Sequence, residues 1–334
     1  MRAISIREPG GVDVLVMKEV ADLVPPPNHV RVRVAFAGVN RADLLQRMGV
    51  YPAPKGVPAD VPGLELSGVV DELGDGVTEL SLGDRVFGLV AGGAYAEQVV
   101  LHERELAKIP EGVSDEQAAA VPEAFVTAYD AMVVRGRLKP GERVLISAVG
   151  SGVGTAGSQI ARALGCFVVG TSRTQDKLDR ARSLGMDVGV LASGKAAELT
   201  FGIEAACPGG IDVVLELVGG SYVETDVAVC ALRGRIILVG LTGGASTDLN
   251  LGALLRKRLE LIGTVLRSRP LEEKIEAASI LRRTIAPWLA RGIVKPVIDK
   301  VFPLEEAGAA HALVATNETF GKVLLAVARP ALIP

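Results

Sequence analysis

The segment from Arg143 to Gly154 has the sequence RVLISAVGSGVG, and it decides the fold class of this chain. Its mostly apolar start predicts a buried strand over 143–147, and the closely spaced glycines predict a tight turn into a helix. The backbone amides and the positive dipole end of a first helical turn favour an anion such as a pyrophosphate. The fingerprint is imperfect, since Val149 and Ser151 occupy its first two glycine positions when Gly154 is the third. An ordinary glycine-rich turn without a nucleotide stays the alternative.

The segments that follow extend this unit into an alternating pattern of strands and helices. Predicted strands lie at 143–147, 166–171, 188–191, 211–217, 235–239 and 259–264, and predicted helices lie at 153–164, 175–184 and 222–231. Parallel strands need crossover connections, and helices are the usual ones. The pattern therefore predicts an α/β fold with a doubly wound parallel sheet of the Rossmann type.

The first third of the chain has a different pattern, with short strands separated by glycine and proline turns. Residues 30–34 alternate apolar and charged side chains, as a half-buried strand does. Short strands at this spacing predict a small barrel or sandwich. Further along, helices are predicted at 115–120, 127–135 and 271–290, and strands at 297–299 and 322–325.

Composition excludes several classes of protein. The chain has 334 residues, which favours two domains, and a net charge of −3, which disfavours nucleic acid as the main partner. The three cysteines and three histidines are scattered, so neither a disulfide framework nor a metal site is expected, and a cytoplasmic location fits best. The uncharged run 144–161 contains several glycines and is better explained as strand, turn and helix than as a membrane span. The first residues lack the apolar core of a signal peptide.

The end of the second predicted strand indicates which dinucleotide would bind. NAD-binding folds place an acidic residue there to bond the ribose hydroxyl, but this strand is followed by Ser172, Arg173 and, one helical turn later, Lys177. Two cations and a hydroxyl suit a 2′-phosphate, because a guanidinium binds phosphate in a bidentate manner. This favours NADPH. A solvated basic helix start is the alternative.

Motifs along essentially the whole chain resemble the medium-chain dehydrogenase/reductase superfamily. They are AGVNRADL at 37–44, GVYP at 49–52, PGLELSGVV at 62–70, PEAFVTAY at 122–129 and GKVL at 321–324, together with the glycine turn. The closest resemblance is to the zinc-free quinone oxidoreductase, or zeta-crystallin-like, branch. NRADL at 40–44, GGSY at 219–222 and LRSR at 266–269 are similar to its tumour-suppressor-inducible members.

The resemblance implies a fold and a metal-free chemistry. Residues 1–122 and 266–334 would form a GroES-like β-barrel catalytic domain, and residues 123–265 would form the Rossmann NADPH-binding domain. Zinc alcohol dehydrogenases of this superfamily have Cys where Asn40 stands and His where Leu64 stands, and neither residue replaces those ligands. Without a Lewis acid, the expected acceptor is intrinsically electrophilic: a quinone or another conjugated carbonyl, reduced by NADPH in the cleft between the domains.

The resemblance also implies roles for individual residues. Tyr51, Asn40 and Ser151 are the expected catalytic residues, with Tyr51 placed to stack on the acceptor or to bond its developing oxyanion. The expected cofactor-binding residues are Asn40, Thr127, Ser151, Gly152, Val153, Gly154, Ser172, Arg173, Lys177, Val218, Gly219, Val239, Gly240, Leu241, Thr264, Val265, Leu266 and Lys322. Glu65 corresponds to the acid beside the missing metal, and a structural role is expected for it.

Some alternatives stay open at this point. Relatives often have a tyrosine near Ala192 that helps to hold the adenosine phosphate, so residual use of NADH is compatible with the sequence. An enoyl or alkenal reductase and a cofactor-binding protein without turnover are the other candidate functions. A homodimer joined near residues 235–250 is expected from the resemblance.

Overall fold

The computed structural model describes residues 1–192 and 194–327, so the predicted range 266–334 extends past the described residues. The chain divides into two compact units. One consists of Met1–Val126 and the segment from Leu266 onward, and the other is Thr127–Val265. Residues 123–126 therefore cluster with the first unit. One tie is a hydrogen bond of 2.8 Å from the backbone N–H of Glu123 to the Glu65 carboxylate.

The strands and helices of the described residues are numbered in chain order. The strands are β1 Arg2–Ile6, β2 Leu15–Glu19, β3 His29–Val39, β4 Glu65–Leu73, β5 Arg85–Leu89, β6 Gln98–His102, β7 Leu106–Lys108, β8 Arg143–Ile146, β9 Phe167–Ser172, β10 Val188–Leu191, β11 Ile211–Glu216, β12 Cys230–Leu238, β13 Glu260–Gly263, β14 Ile298–Pro303 and β15 Lys322–Ala326. The helices are α1 Arg41–Arg47, α2 Asp115–Ala119, α3 Pro122–Tyr129, α4 Gly152–Ala163, α5 Gln175–Arg182, α6 Ala196–Ala206, α7 Tyr222–Val229, α8 Leu251–Lys257, α9 Leu271–Ile280, α10 Ala286–Ala290 and α11 Ala307–Thr316.

The second unit is built on a six-stranded parallel sheet with the order β10-β9-β8-β11-β12-β13. From β8 the chain adds β9 and β10 on one side and then returns to add β11 on the other. This reversal leaves a switch point at the carboxyl ends of β8 and β11, where ligands bind in such sheets. The predicted doubly wound parallel sheet is confirmed.

The first unit contains a seven-stranded sheet with the order β14-β15-β3-β4-β5-β7, in which β6 also pairs with β3, and a separate β1–β2 pair. The predicted alternation in β3 is confirmed, since Val30, Val32 and Val34 are buried in the core while Arg31 and Arg33 retain exposed surface. The three valines face the core because successive side chains of a strand point to opposite faces.

Several predicted element boundaries were wrong. The helix predicted at 127–135 begins at Pro122, which suits the first helical turn, and becomes π-helical over Asp130–Arg135. The helix predicted at 271–290 is interrupted by a π-helical stretch, Leu281–Ile285. Helix α11 was missed because its sequence, AGAAHALVAT, has almost no polar face to give a helical period.

The sheet edge expected at the dimer interface also needs correction. Residues 235–238 belong to β12, which is paired on both sides, by β11 and by β13. The edge of the sheet at this end is β13. Both neighbours of β12 are already hydrogen-bonded to it, so its backbone offers no open edge to a second chain.

Candidate active site

The glycine-rich turn of the second unit forms a tight start to α4. The Ser151 side chain caps the helix by accepting a hydrogen bond of 3.0 Å from the Gly154 N–H. A Cβ at Gly154 would lie 2.5 Å from the carbonyl oxygen of Ala148, so only glycine allows the helix to pack so closely on the turn. Gly152 and Val153 are partly exposed, and the first-turn amides of a helix have no carbonyl partner within it. The turn therefore fits an anionic ligand.

The carboxyl end of β9 carries the predicted phosphate-binding group. Ser172 is buried and its hydroxyl oxygen accepts a hydrogen bond from the Thr174 N–H, while Arg173 is exposed and Lys177 lies in the first turn of α5. Burial raises the pKa of Tyr222, and the nearby Arg173 guanidinium opposes that rise. Tyr222 thus belongs to this neighbourhood, although the sequence motifs predicted no role for it.

The ends of β11 and β12 are held by a buried acid that sequence analysis did not single out. One Glu216 carboxylate oxygen accepts hydrogen bonds from the N–H groups of Val218, at 2.5 Å, and Gly219, at 2.7 Å. Burial raises the pKa of the neighbouring Asp226 far above its usual range, and the Glu216 charge adds to the rise. Burial also raises the pKa of Glu216, and the two N–H donors oppose that rise. The predicted contacts Val239, Gly240 and Leu241 follow β12 directly.

Thr127 has a buried hydroxyl group that fits a polar group of a ligand. Its hydroxyl oxygen is buried and has no hydrogen-bond partner in the described part of the chain. Burial of an unsatisfied hydroxyl is unfavourable, so a polar group of a ligand is the natural partner. Thr264 donates a hydrogen bond of 3.0 Å to Asp130, and Val265 is exposed beside it.

The first unit contains a buried ion pair built around three of the singled-out residues. The Lys322 ammonium lies 2.6 Å from Glu65, and the exposed fractions of the two side chains are 5% and 0%. The Asn40 amide donates to the same carboxylate oxygen at 2.8 Å, and its carbonyl oxygen accepts from Lys322. Gly38 allows this packing, because a Cβ there would lie 2.1 Å from the Glu65 oxygen. The structural role expected for Glu65 is consistent with this arrangement.

Asn40 is fixed from its backbone side by a second buried group. The Asp43 carboxylate accepts hydrogen bonds from the N–H groups of Asn40 and Gly63, and the Tyr95 hydroxyl lies 3.3 Å from it and 3.0 Å from His311. Burial raises the pKa of Asp43 to about 6 and lowers that of His311 to about 3. His311 is thus a neutral core residue, and the group supports the start of α1.

Tyr51 is positioned by Arg267, which lies in the motif LRSR at 266–269. The Arg267 guanidinium lies 5.3 Å from the centre of the Tyr51 ring, in a cation–π contact. Arg267 is buried and donates hydrogen bonds to the Ala91 carbonyl oxygen, at 2.7 Å, and to the Gln46 side chain. It therefore ties Tyr51 to two other segments of the first unit.

Beside Arg267 lies a cavity of about 20 Å³ that is also lined by Glu123 and by Leu266. Burial raises the pKa of Glu123 to about 8, and the charge of Glu65 contributes to the rise. Glu123 lies in the motif PEAFVTAY at 122–129, which by itself predicts no role for it. No spacing rule pointed to it, because its neighbours come from distant parts of the chain.

Comparisons with known proteins decide the family. The model of the alcohol dehydrogenase GroES-like domain matches residues 26–111, and that of zinc-binding dehydrogenases matches residues 152–281. The quinone oxidoreductase of Rattus norvegicus is 33% identical over 332 residues, which are 97% of each chain. The chain belongs to the quinone oxidoreductase branch of the medium-chain dehydrogenase/reductase superfamily. The assignment made from the sequence motifs is confirmed.

Other members of the superfamily agree with this result. The quinone oxidoreductase of Homo sapiens is 30% identical and covers 97% of each chain. The solved structure of the Escherichia coli quinone oxidoreductase complexed with NADPH has a TM-score of 0.87 and 29% identity, covering 98% of this chain and all of that one. A solved NAD-dependent alcohol dehydrogenase has the same TM-score and 33% identity. The predicted combination of a Rossmann-type sheet and a GroES-like domain is confirmed.

Some members of this oxidoreductase superfamily bind zinc, so the residues of this chain were compared with the requirements of a metal site. Residues 1–192 and 194–327 contain no group of three or more His, Cys, Asp or Glu side chains arranged to hold a metal ion. Where zinc-dependent members have ligands, this chain has Asn40, bonded to Lys322, and the buried Leu64.

Within residues 1–192 and 194–327, no helix combines the length and apolar character needed to span a membrane.

Proposed function

We propose that this chain is an NADPH-dependent, zinc-independent quinone oxidoreductase. The buried group of Lys322, Glu65 and Asn40 is the observation that carries the proposal. An ammonium ion already neutralises the Glu65 carboxylate and occupies the Asn40 carbonyl oxygen, and it would repel a second cation at short range. With no metal to polarise an unactivated alcohol, the acceptor must be electrophilic by itself.

The second unit supplies the groups that would hold the cofactor. The first turn of α4, from Ser151 to Gly154, suits the pyrophosphate, and the unsatisfied Thr127 hydroxyl suits a polar group of the nicotinamide end. Ser172, Arg173 and Lys177 suit a 2′-phosphate. When bound, NADPH supplies a hydride, and the protein supplies orientation and electrostatics. That the Escherichia coli relative was solved with NADPH supports the choice of cofactor.

The first unit supplies the groups that would bind the acceptor. Tyr51 presents a partly buried ring whose position is fixed by Arg267, and a flat quinone stacks well on such a ring. The Tyr51 hydroxyl is a candidate donor to the oxygen that gains negative charge. Asn40 is held rigidly by Glu65 and Asp43, which suits a residue that orients reactants.

The experiment that tests this function is an acceptor panel measured after exhaustive chelation. NADPH oxidation is followed with a naphthoquinone, phenanthrenequinone and an enoyl thioester, and NADH is run in parallel. We expect quinone reduction with NADPH that chelation leaves unchanged. Turnover of the enoyl thioester alone would indicate a double-bond reductase, and activity restored only by zinc would contradict the metal-free proposal. NADPH binding without turnover on any acceptor would indicate a cofactor-binding protein.

We also propose a homodimer formed through the β13 edge. Leu251 and Leu255 of α8 have exposed fractions of 71% and 79%, and Leu261 of the edge strand has 38%. Exposed leucines beside an open sheet edge are costly in water, and a second copy of the chain would cover both.

A further inference from the structure

A small cavity in the first unit joins two groups of charged side chains. Its volume is about 20 Å³, and its walls combine apolar residues, Leu64 and Leu266 among them, with Glu105, Glu123, Arg267 and Lys274. A polar cavity of roughly 10–15 Å³ already accommodates one water molecule. Glu105 and Lys274 are partly exposed, so the cavity links the neighbourhood of Glu123 to groups that reach solvent.

Glu123 is held in place by its backbone rather than by its carboxyl group. Its N–H donates to Glu65 at 2.8 Å, at the start of α3. Glu123 lines the cavity, and none of the described residues donates a hydrogen bond to its carboxyl group. The hydrogen bond from its backbone therefore fixes Glu123 in place and leaves its carboxyl group available for proton transfer.

The surrounding charges favour the protonated form of this carboxyl group. Burial contributes most to raising its pKa to about 8, Glu65 and Asp43 add to the rise, and Lys322 and Arg267 oppose it. The Glu123 charge also acts on Tyr51 and on Arg267, so the three side chains are electrostatic neighbours. An acid with this pKa carries its proton at neutral pH and can still release it.

We propose that Glu123 is the proton donor of the reaction and that the cavity returns the proton to it from solvent. The inference rests on the proposed function, because two-electron reduction of a conjugated carbonyl consumes one hydride and one proton. Bound NADPH would supply the hydride. The O–H bond of Glu123 breaks, its electron pair stays on the carboxylate, and a new O–H bond forms on the reduced acceptor oxygen. A proton from bulk solvent, relayed by water in the cavity beside Glu105 and Lys274, then restores the O–H bond of Glu123.

The test compares Glu123→Gln with Glu111→Gln, the same substitution at an exposed position of the first unit. For the unmodified enzyme, kcat should fall as pH rises through about 8, because the protonated acid is the active form. Glu123→Gln should lower kcat by about 10²-fold or more, remove this pH dependence and leave the Kd for NADPH unchanged. Glu111→Gln should match the unmodified enzyme. A Glu123→Gln enzyme that keeps its kcat, or keeps the alkaline decline, would overturn the proposal.

A second measurement does not depend on turnover. The infrared difference between the unmodified enzyme and Glu123→Gln should contain a protonated carboxyl band that disappears near pH 8. If that band is present but no acceptor is reduced, the proposed function is wrong, although Glu123 is protonated at neutral pH as inferred. If the band is absent at pH 7, the proton-donor role is wrong even in an active enzyme.

Discussion

At the scale of single residues, the proposed preference for NADPH depends on Arg173 and Lys177. We expect Arg173→Ala combined with Lys177→Ala to raise the Kd for NADPH by about 10²-fold or more, since each charge-assisted hydrogen bond to a phosphate contributes about 1.5–3 kcal/mol. The Kd for NADH should change by less than about threefold, because NADH lacks the 2′-phosphate. Fluorescence titration measures both constants, with the exposed Lys195→Ala as the control. Equal losses for the two cofactors would refute the 2′-phosphate assignment.

The buried partner of Glu65 gives a prediction on stability at the same scale. Lys322→Met should lower the free energy of unfolding of the first unit by about 3–5 kcal/mol, because it leaves a carboxylate buried without its counter-ion. The matched control is Lys108→Met, whose partner Asp84 sits in an ion pair that is largely open to water, and it should cost about 0–1 kcal/mol. Urea unfolding monitors both variants. Similar losses at the two positions would show that burial does not set the strength of the pair.

At the scale of elements, the junction between β8 and α4 depends on one glycine. Gly154→Ala would place a Cβ 2.5 Å from the carbonyl oxygen of Ala148, so the helix must move away from the turn. We expect a stability loss of about 1–3 kcal/mol and a Kd for NADPH raised by about tenfold or more. Gly263→Ala is the control, since a Cβ there meets no atom within 4 Å. Thermal unfolding and cofactor titration provide the two readouts, and an unchanged Kd would separate the turn from cofactor binding.

The bounds of the strands and helices also show how accurately the sequence pattern predicts secondary structure. The strand at 188–191 was predicted with its observed bounds, and α4 and β11 were each predicted within a residue at either end. These segments combine strong periodicity with clear turn residues. The π-helical stretches at Asp130–Arg135 and Leu281–Ile285 were not predictable, because they share the hydrophobic pattern of an α-helix and differ only in backbone hydrogen bonding.

At the scale of the whole molecule, the proposed dimer depends on the β13 edge. Leu255→Glu together with Leu261→Glu should convert a dimer into a monomer, because charges would be buried at the contact. Phe201→Glu is the control, since Phe201 has an exposed fraction of 74% and lies on α6, outside the edge strand. Sedimentation equilibrium gives the mass. A mass of one chain before any substitution would contradict the dimer proposal.

The sequence by itself determined the parallel sheet, the glycine turn and the family, because these depend on local periodicity, on turn residues and on motifs that can be aligned. It did not determine the group formed by Asn40, Glu65, Glu123 and Lys322, although each of these residues lay within a recognised motif. Their contacts join positions that are distant in the chain, and their charges interact strongly only after folding has removed water from between them. Only the tertiary structure pairs Glu65 with the Lys322 ammonium and raises the pKa of Glu123 to about 8.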